Sequence, residues 1–171
     1  MKVSTIFAES LEPATRRIKS SAAAVLASLF ANNAGRSTFA VTGTVDELSK
    51  TLNKELRDCF TRVHQLRIGI SELRAIKNEL IVFVDRIFVD WKNELIKHQA
   101  YGIGGEATIQ QHDEFIEKRV LEAKNVINLE FLIAREKIRA RRRQLSWDIG
   151  KIAITAVVGG FIGAYIKMLI P

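Results

Sequence analysis

The chain has 171 residues, two prolines, one cysteine and a formal net charge of +7. One cysteine excludes an intrachain disulfide, and the length leaves room for one domain plus an anchor but not for two full domains. Six basic residues and one acid lie between Lys137 and Lys151, directly before the most apolar segment. This placement of the charge favours a membrane surface over a nucleic acid as the partner.

The first segment, residues 1–43, is predicted to contain an amphipathic helix and a linker. The helix is predicted to start near Pro13, because proline is tolerated in the first helical turn. Apolar residues then share one helical face: Ile18, Ala22, Val25, Leu26, Leu29 and Phe30. Three interpretations stay open. The helix packs on the rest of the protein, lies on a membrane surface, or is a targeting peptide of the Arg- and Ser-rich, acid-poor kind.

The second segment, residues 44–145, is predicted to form a long antiparallel helical hairpin that acts as a stalk. Its first helix begins at a capping box, Thr44–Glu47, and an apolar residue then recurs every three or four positions as far as Leu95. A glycine-rich turn occupies 101–107. A second capping box, Thr108–Gln111, opens a helix that continues towards the membrane.

The two helices of this predicted hairpin differ in length. The first, ending near Gln99, measures about 80 Å, whereas the second rises about 55 Å from Thr108 to Leu145. A straight first helix would carry its basic residues into the bilayer, which is costly. We therefore predict a kink near Arg67 to Ser71 with Gly69 as the hinge, because glycine is the poorest helix former after proline. The alternative is a stalk whose helices are splayed apart by other subunits.

The third segment, residues 146–171, is predicted to be a transmembrane anchor. Ile149 to Ile170 comprises 22 residues, about 33 Å as a helix, against a hydrocarbon core of about 30 Å. Lys151 and Lys167 lie near its two ends, where long side chains reach the lipid headgroups. The alternative is a C-terminal helix buried in a soluble bundle.

Two groups of residues, one before the predicted span and one inside it, have predicted roles at the membrane. A basic cluster precedes the span and is predicted to fix the topology and to contact anionic headgroups: Lys137, Arg139, Arg141, Arg142 and Arg143. Small residues recur every fourth position in two adjacent rows and are predicted to let another membrane helix approach closely: Thr155, Gly159 and Gly163, with Ala156, Gly160 and Ala164. A plain topology signal without lipid contact is the alternative role of the basic cluster.

Catalytic signatures are not evident in the sequence. Glu94 and His98 are four residues apart, and His112 with Asp113 follows the turn, so a metal site at the hairpin tip is an alternative to solvated surface side chains. No dense ligand motif and no nucleophile–base pattern supports chemistry there. We predict a protein that is not an enzyme and needs no cofactor.

The sequence therefore predicts an all-α, single-pass, tail-anchored protein with its bulk in the cytoplasm. Its expected role is to oligomerise and to assemble or position partners at a membrane with anionic headgroups. The expected partners are further copies of the chain and other membrane or cytoplasmic proteins. The alternative function is a membrane-permeabilising effector, of the toxin, lysis or defence type, whose Gly-rich spans assemble into a pore. A nucleic-acid binder is the least favoured alternative.

Overall fold

A computed structural model describes the backbone of residues 3–66 and 68–169, and the side chains of 11–66, 68–149, 151–152 and 154–156. It contains four helices: α1 (Val3–Ala31), α2 (Thr38–Gln65), α3 (Ile70–Lys97) and α4 (Glu106–Leu169). No strand occurs within these described ranges. The predicted all-α class is confirmed. The chain divides into two compact units, Met1–Ala134 and Arg135–Pro171.

The first unit is a bundle in which all four helices pack together. Helices α1 and α2 are antiparallel, since Arg17 Nε–H donates to Glu55 Oε1 at 2.6 Å and Ser21 Oγ–H donates to Thr51 Oγ1 at 3.0 Å. Further ion pairs join α1 to α3 (Lys19–Asp90, 2.8 Å), α4 to α3 (Lys124–Asp85, 2.6 Å) and α4 to α2 (Arg119–Asp46, 2.6 Å). Each helix thus contacts at least two others.

The bundle core follows the three-and-four spacing of apolar residues along each helix. One stripe per helix is buried, because only one face of an amphipathic helix turns inward. The largest fully buried side chains are Ile18 of α1, Leu48, Leu52, Leu56 and Phe60 of α2, Leu73, Ile76, Leu80, Ile87 and Leu95 of α3, and Ile127 of α4. Each such side chain contributes roughly 1.5–3 kcal/mol through burial.

The helix that was predicted to run from Thr44 to Gln99 with a kink near Arg67 to Ser71 is two separate helices, and the break between them falls in the region of the predicted kink. Helix α2 ends at Gln65 and α3 begins at Ile70. The indole N–H of Trp91 donates to Thr44 Oγ1 at 3.2 Å, which joins the first half of α2 to the second half of α3. The chain therefore reverses direction between the two helices. A bundle of shorter helices replaces the predicted stalk hairpin, and the length mismatch that motivated a kink disappears.

Gly69 lies at this reversal, as the N-cap of α3. Its φ of −85° and ψ of 169° are extended values that any residue adopts. Its N–H donates to Glu72 Oε2 at 2.7 Å, and its carbonyl accepts the N–H of Leu73 at 3.0 Å. The position is thus a fixed helix start in this structure. A hinge motion at Gly69 remains a prediction.

The substitution Gly69→Ser is expected to raise the free energy of unfolding of the bundle by about 0.5–1 kcal/mol. A Cβ there would meet only Glu72 Oε2 at 3.6 Å and Ser71 Oγ at 3.8 Å. The added hydroxyl can accept a free N–H of the first turn of α3, and losing glycine reduces the entropy of the unfolded chain. Thermal unfolding of Gly69→Ser and Gly69→Ala separates these effects, since alanine lacks the hydroxyl. A lower melting temperature for both variants would contradict the assigned backbone.

Three predicted helix starts also differ from the structure. Pro13 lies inside α1, which begins at Val3. Thr44 lies inside α2, and Thr108 lies inside α4, which begins at Glu106. Helices α1 and α2 begin several residues before Pro13 and Thr44, and α4 begins two residues before Thr108. In α2 the added turn contains Ala40 and Val41, which are buried in the bundle and so stabilise the longer helix. In the structure the described part of α1 packs on the rest of the bundle, with Ala14, Ile18, Ala22 and Leu26 buried.

The glycine-rich connection between α3 and α4 lies where the sequence placed it. Gly102, Gly104 and Gly105 have φ values of 77°, 106° and 93°, in the left-handed region that disfavours residues with a Cβ. These glycines let the chain turn within a few residues, so that α4 can return along α3. The ion pairs Lys92–Asp113 and Asp85–Lys124 then join the two helices in antiparallel order.

The second unit consists of the remainder of α4. Within the described part of the chain, no helix is both long and apolar enough to cross a membrane, so the predicted transmembrane helix is not supported there. The side chains of 157–171, which form most of the predicted span, lie outside the described residues, and so does the structure of Ile170 and Pro171.

Candidate functional site

The basic cluster defined from the sequence lies on the part of α4 that belongs to the second unit. The side chains of Lys137, Arg139, Arg141, Arg142 and Arg143 are all exposed. Arg139 Nη1–H donates to Glu136 Oε1 at 2.9 Å. Because both members of this pair face solvent, the pair is weak and leaves the cluster strongly positive. Its charges surround the helix and do not share one face, as successive residues of a helix point in different directions.

Large apolar side chains follow the basic cluster directly. Five of them are more than half exposed: Leu145, Trp147, Ile149, Ile152 and Ile154. The Lys151 ammonium lies 5.5 Å from the centre of the Trp147 ring. Isolated exposed apolar residues are common on proteins, but a contiguous group beside a charged segment is typical of a surface that contacts a membrane or another protein. This basic and apolar segment, residues 137–154, is the main candidate site.

The small-residue rows lie next along α4. Thr155 and Ala156 are exposed, and Thr155 Oγ1–H donates to the carbonyl of Lys151 at 2.8 Å. The surroundings of Gly159, Gly160, Gly163 and Ala164 lie outside the described residues. Close packing of another helix on these rows therefore stays a prediction.

A polar cluster lies in the first unit, where α4 returns along α3 after the glycine turn. The carboxylate of Asp113 accepts hydrogen bonds from the Lys92 ammonium and the Tyr101 hydroxyl. The Lys92 ammonium also lies 5.0 Å from the centre of the Tyr101 ring. These two donors hold the pKa of Asp113 below its usual value. The pKa of Tyr101 is raised, mainly by burial and in addition by its hydrogen bond to Asp113. The cluster ties the turn to both helices.

His112 is buried beside this cluster, whereas the other histidine that the sequence placed near the turn is exposed. The His112 ring lies 5.3 Å from the Tyr101 ring, centre to centre. His98 lies 6.0 Å from the ring of Phe30, and Glu94 pairs with Lys97 at 2.7 Å. Among the described residues, no three His, Cys, Asp or Glu side chains come close enough together to hold a metal ion.

A small cleft lies between α1 and α3. Its volume is about 170 Å³, and its lining is mostly apolar: Ala23, Leu26, Ala27, Phe30, Trp91, Glu94 and His98. Small-molecule sites are usually larger, roughly 300–1,000 Å³. The Trp91 N–H is already bonded to Thr44, so the indole offers no free donor to a ligand in the cleft.

Cys59 offers little nucleophilic reactivity. Its side chain is half-buried on α2, and burial raises the pKa of the thiol to about 12. A thiol with such a pKa is almost entirely protonated at neutral pH, and the thiolate is the nucleophilic form. The residue therefore acts as a small member of the packed helix face.

Comparison with known proteins does not narrow the function further. No family model matches the chain, and neither a curated protein nor a solved structure is significantly similar to it. The class that the structure defines is an all-α protein built on a four-helix bundle. Because this architecture serves many unrelated functions, the argument for a function rests on the chemistry of residues 137–154.

Proposed function

We propose that the protein is a membrane-attached helical assembly protein, in which the bundle is held at an anionic membrane by the C-terminal part of α4. One observation carries the proposal: an exposed run of basic side chains is followed directly by exposed Leu, Trp and Ile side chains. Exposing so many large apolar groups to water is unfavourable, and a bilayer covers them. The same surface would attract anionic headgroups.

The expected energy of this attachment has an electrostatic and an apolar part. Each basic residue near an anionic bilayer contributes roughly 1 kcal/mol, so the five members of the cluster contribute several kcal/mol at low salt. Trp147 belongs to the residue types that prefer the membrane–water interface. Beyond it, residues 152–166 contain no charged side chain, and this sequence supports insertion of the helix as a single-pass anchor. The positive-inside tendency would keep the basic cluster, and the bundle with it, on the cytoplasmic side.

Assembly is the second part of the proposal. The two rows of small residues that begin at Thr155 and Ala156 would allow anchors of several copies to pack closely in the membrane. A homo-oligomer would then present several bundles side by side, and these bundles would bind membrane or cytoplasmic partners. A permeabilising effector has the same anchor but requires that the assembled helices enclose a conducting path.

Removal of the apolar part of the candidate site, together with the residues that follow it, tests the proposal. A chain ending at Gln144 retains all of the first unit and is expected to move from the membrane pellet to the soluble fraction after cell lysis. The matched control is the full-length chain in which the five residues of the basic cluster are replaced by Gln. This variant loses the positive charge but keeps the apolar residues Leu145, Ile149 and Ile152. That control is expected to remain in the pellet, with reduced binding to anionic vesicles.

Two outcomes of these experiments decide against the proposal or for its alternative. If the chain ending at Gln144 stays in the pellet after a high-salt wash, the bundle and not residues 145–171 attaches the protein. If the full chain releases dye from vesicles and depolarises cells that express it, the protein permeabilises membranes and the effector function is correct.

A further inference from the structure

His112 is a buried, unpaired histidine at the end of the bundle formed by the glycine turn. It is 3% exposed, although histidine is usually found at intermediate burial. Within the described residues, neither Nδ1 nor Nε2 has a hydrogen-bond partner. The Tyr101 ring covers it from the turn. A buried polar group without partners is costly, and a buried charge without partners is far more costly, so the site accepts only the neutral imidazole.

The charged groups around His112 do not offset this cost. Asp113, on the same helix, raises the pKa of His112, but its carboxylate already accepts hydrogen bonds from Lys92 of α3 and from Tyr101 of the turn. In the described part of the chain, no charged side chain of α1 or α2 contributes to this pKa. Burial has the larger effect and lowers the pKa of His112 below its ordinary value.

We propose that His112 makes the α3–α4 turn acid-sensitive: uptake of one proton by the imidazole opens this end of the bundle. The proton comes from solvent and binds a ring nitrogen, and the resulting cation has no buried partner. The cation can reach water only if the Tyr101 ring moves away, which breaks the bond from the Tyr101 hydroxyl to Asp113. The proposal does not depend on the membrane role.

The pH range follows from linkage. The imidazole has a pKa near its ordinary value of about 6.5 when the turn is open and a lower pKa when it is closed. The open state therefore binds more protons. The stability of the closed turn is complete above about pH 6.5 and falls as the pH decreases through this value towards the lower pKa. Asp113 stays ionised in this range, because its pKa is held below its usual value.

Hydrogen exchange on the full chain in a zwitterionic detergent tests the proposal. Between about pH 7.5 and about pH 5.5, opening of residues 98–112 is expected to increase by up to about tenfold, after correction for the intrinsic exchange rate. Amides in the middle of α2 are expected to keep their protection. An equal change throughout the bundle, or no change at the turn, would overturn the proposal.

Two variants assign the effect to His112. His112→Phe fills the same space without a titrating group and should abolish the pH dependence, whereas His98→Gln, which changes the exposed histidine on the other side of the turn, should preserve it. Persistence of the effect in His112→Phe would overturn the proposal. Should that variant fail to fold, NMR titration of the His112 ring in the unchanged chain gives the answer directly, since a midpoint at or above 6.5 is incompatible with an acid-opened turn.

Discussion

Replacing Phe60 with Ala is expected to lower the free energy of unfolding by about 3–5 kcal/mol, the usual cost of removing a buried aromatic ring. Phe60 is 0% exposed and lies on the inner face of α2. Two contributions make up this loss of stability. The variant no longer gains the free energy of burying the ring away from water, and a cavity remains because the neighbouring helices relax only in part. It is a large share of the roughly 5–15 kcal/mol that stabilises an ordinary domain.

The matched control is Phe39→Ala, the same substitution in the same helix. Phe39 is 73% exposed, so its removal should change the stability by no more than about 0.5 kcal/mol. Urea unfolding of the chain that ends at Gln144 measures both, with Trp91 as its only tryptophan and a buried fluorescent probe of the core. Equal losses for the two variants would mean that α2 does not present this face to the core.

Thr44→Val is expected to cost about 1–3 kcal/mol, although valine has nearly the shape of threonine. The Thr44 hydroxyl is fully buried, donates to the carbonyl of Ala40 at 2.6 Å and accepts the N–H of Trp91 at 3.2 Å. Valine leaves the Trp91 N–H buried without a partner, so that no hydrogen bond offsets the free-energy cost of removing this group from water. The contact matters for the topology because it connects α2 to α3.

Thr42→Val is the matched control for this contact. Thr42 is half-buried, and its Oγ1–H donates to the carbonyl of Thr38 at 3.2 Å in a similar bond within the helix that is exposed to solvent. This variant is expected to stay within about 0.5 kcal/mol of the unchanged chain. In a double-mutant cycle, Trp91→Phe should remove most of the effect of Thr44→Val, since phenylalanine has no N–H to satisfy. Additive losses in the cycle would show that the two side chains do not interact.

The candidate membrane site consists of residues that are adjacent in sequence, whereas the polar cluster and the buried histidine of the bundle are assembled by tertiary packing. The basic cluster and the apolar residues that follow it are adjacent in sequence, so their juxtaposition needs no tertiary contact. The polar cluster beside the glycine turn is different. Lys92 and Asp113 are 21 residues apart, and nothing in their local sequences indicates that they meet. The burial of His112 likewise depends on Tyr101 and on the packing of the helices around it.

The sequence by itself determined the helical class, the glycine turn between α3 and α4, and most of the core. The apolar spacing that predicts a helix also marks the face that is buried, and Leu48, Leu52, Leu80 and Leu95 are all fully buried as that spacing indicates. These features are local. They follow from the rarity of proline, from helical periodicity and from glycine's tolerance of positive φ.

Only the tertiary structure decided that the chain reverses between α2 and α3. The apolar stripe continues in phase through Leu66, so periodicity alone favours one long helix, yet Leu66 is 48% exposed at the reversal. The lengths of the predicted helices placed a kink at Gly69, but this residue adopts an extended conformation that other residues also adopt, and nothing in the local sequence distinguishes a kink from a full reversal. A single long helix would leave its apolar stripe without enough neighbours to cover it. Folding back lets α1, α2, α3 and the first part of α4 bury their stripes against one another, and the gain in buried apolar surface exceeds the loss of a few helical hydrogen bonds.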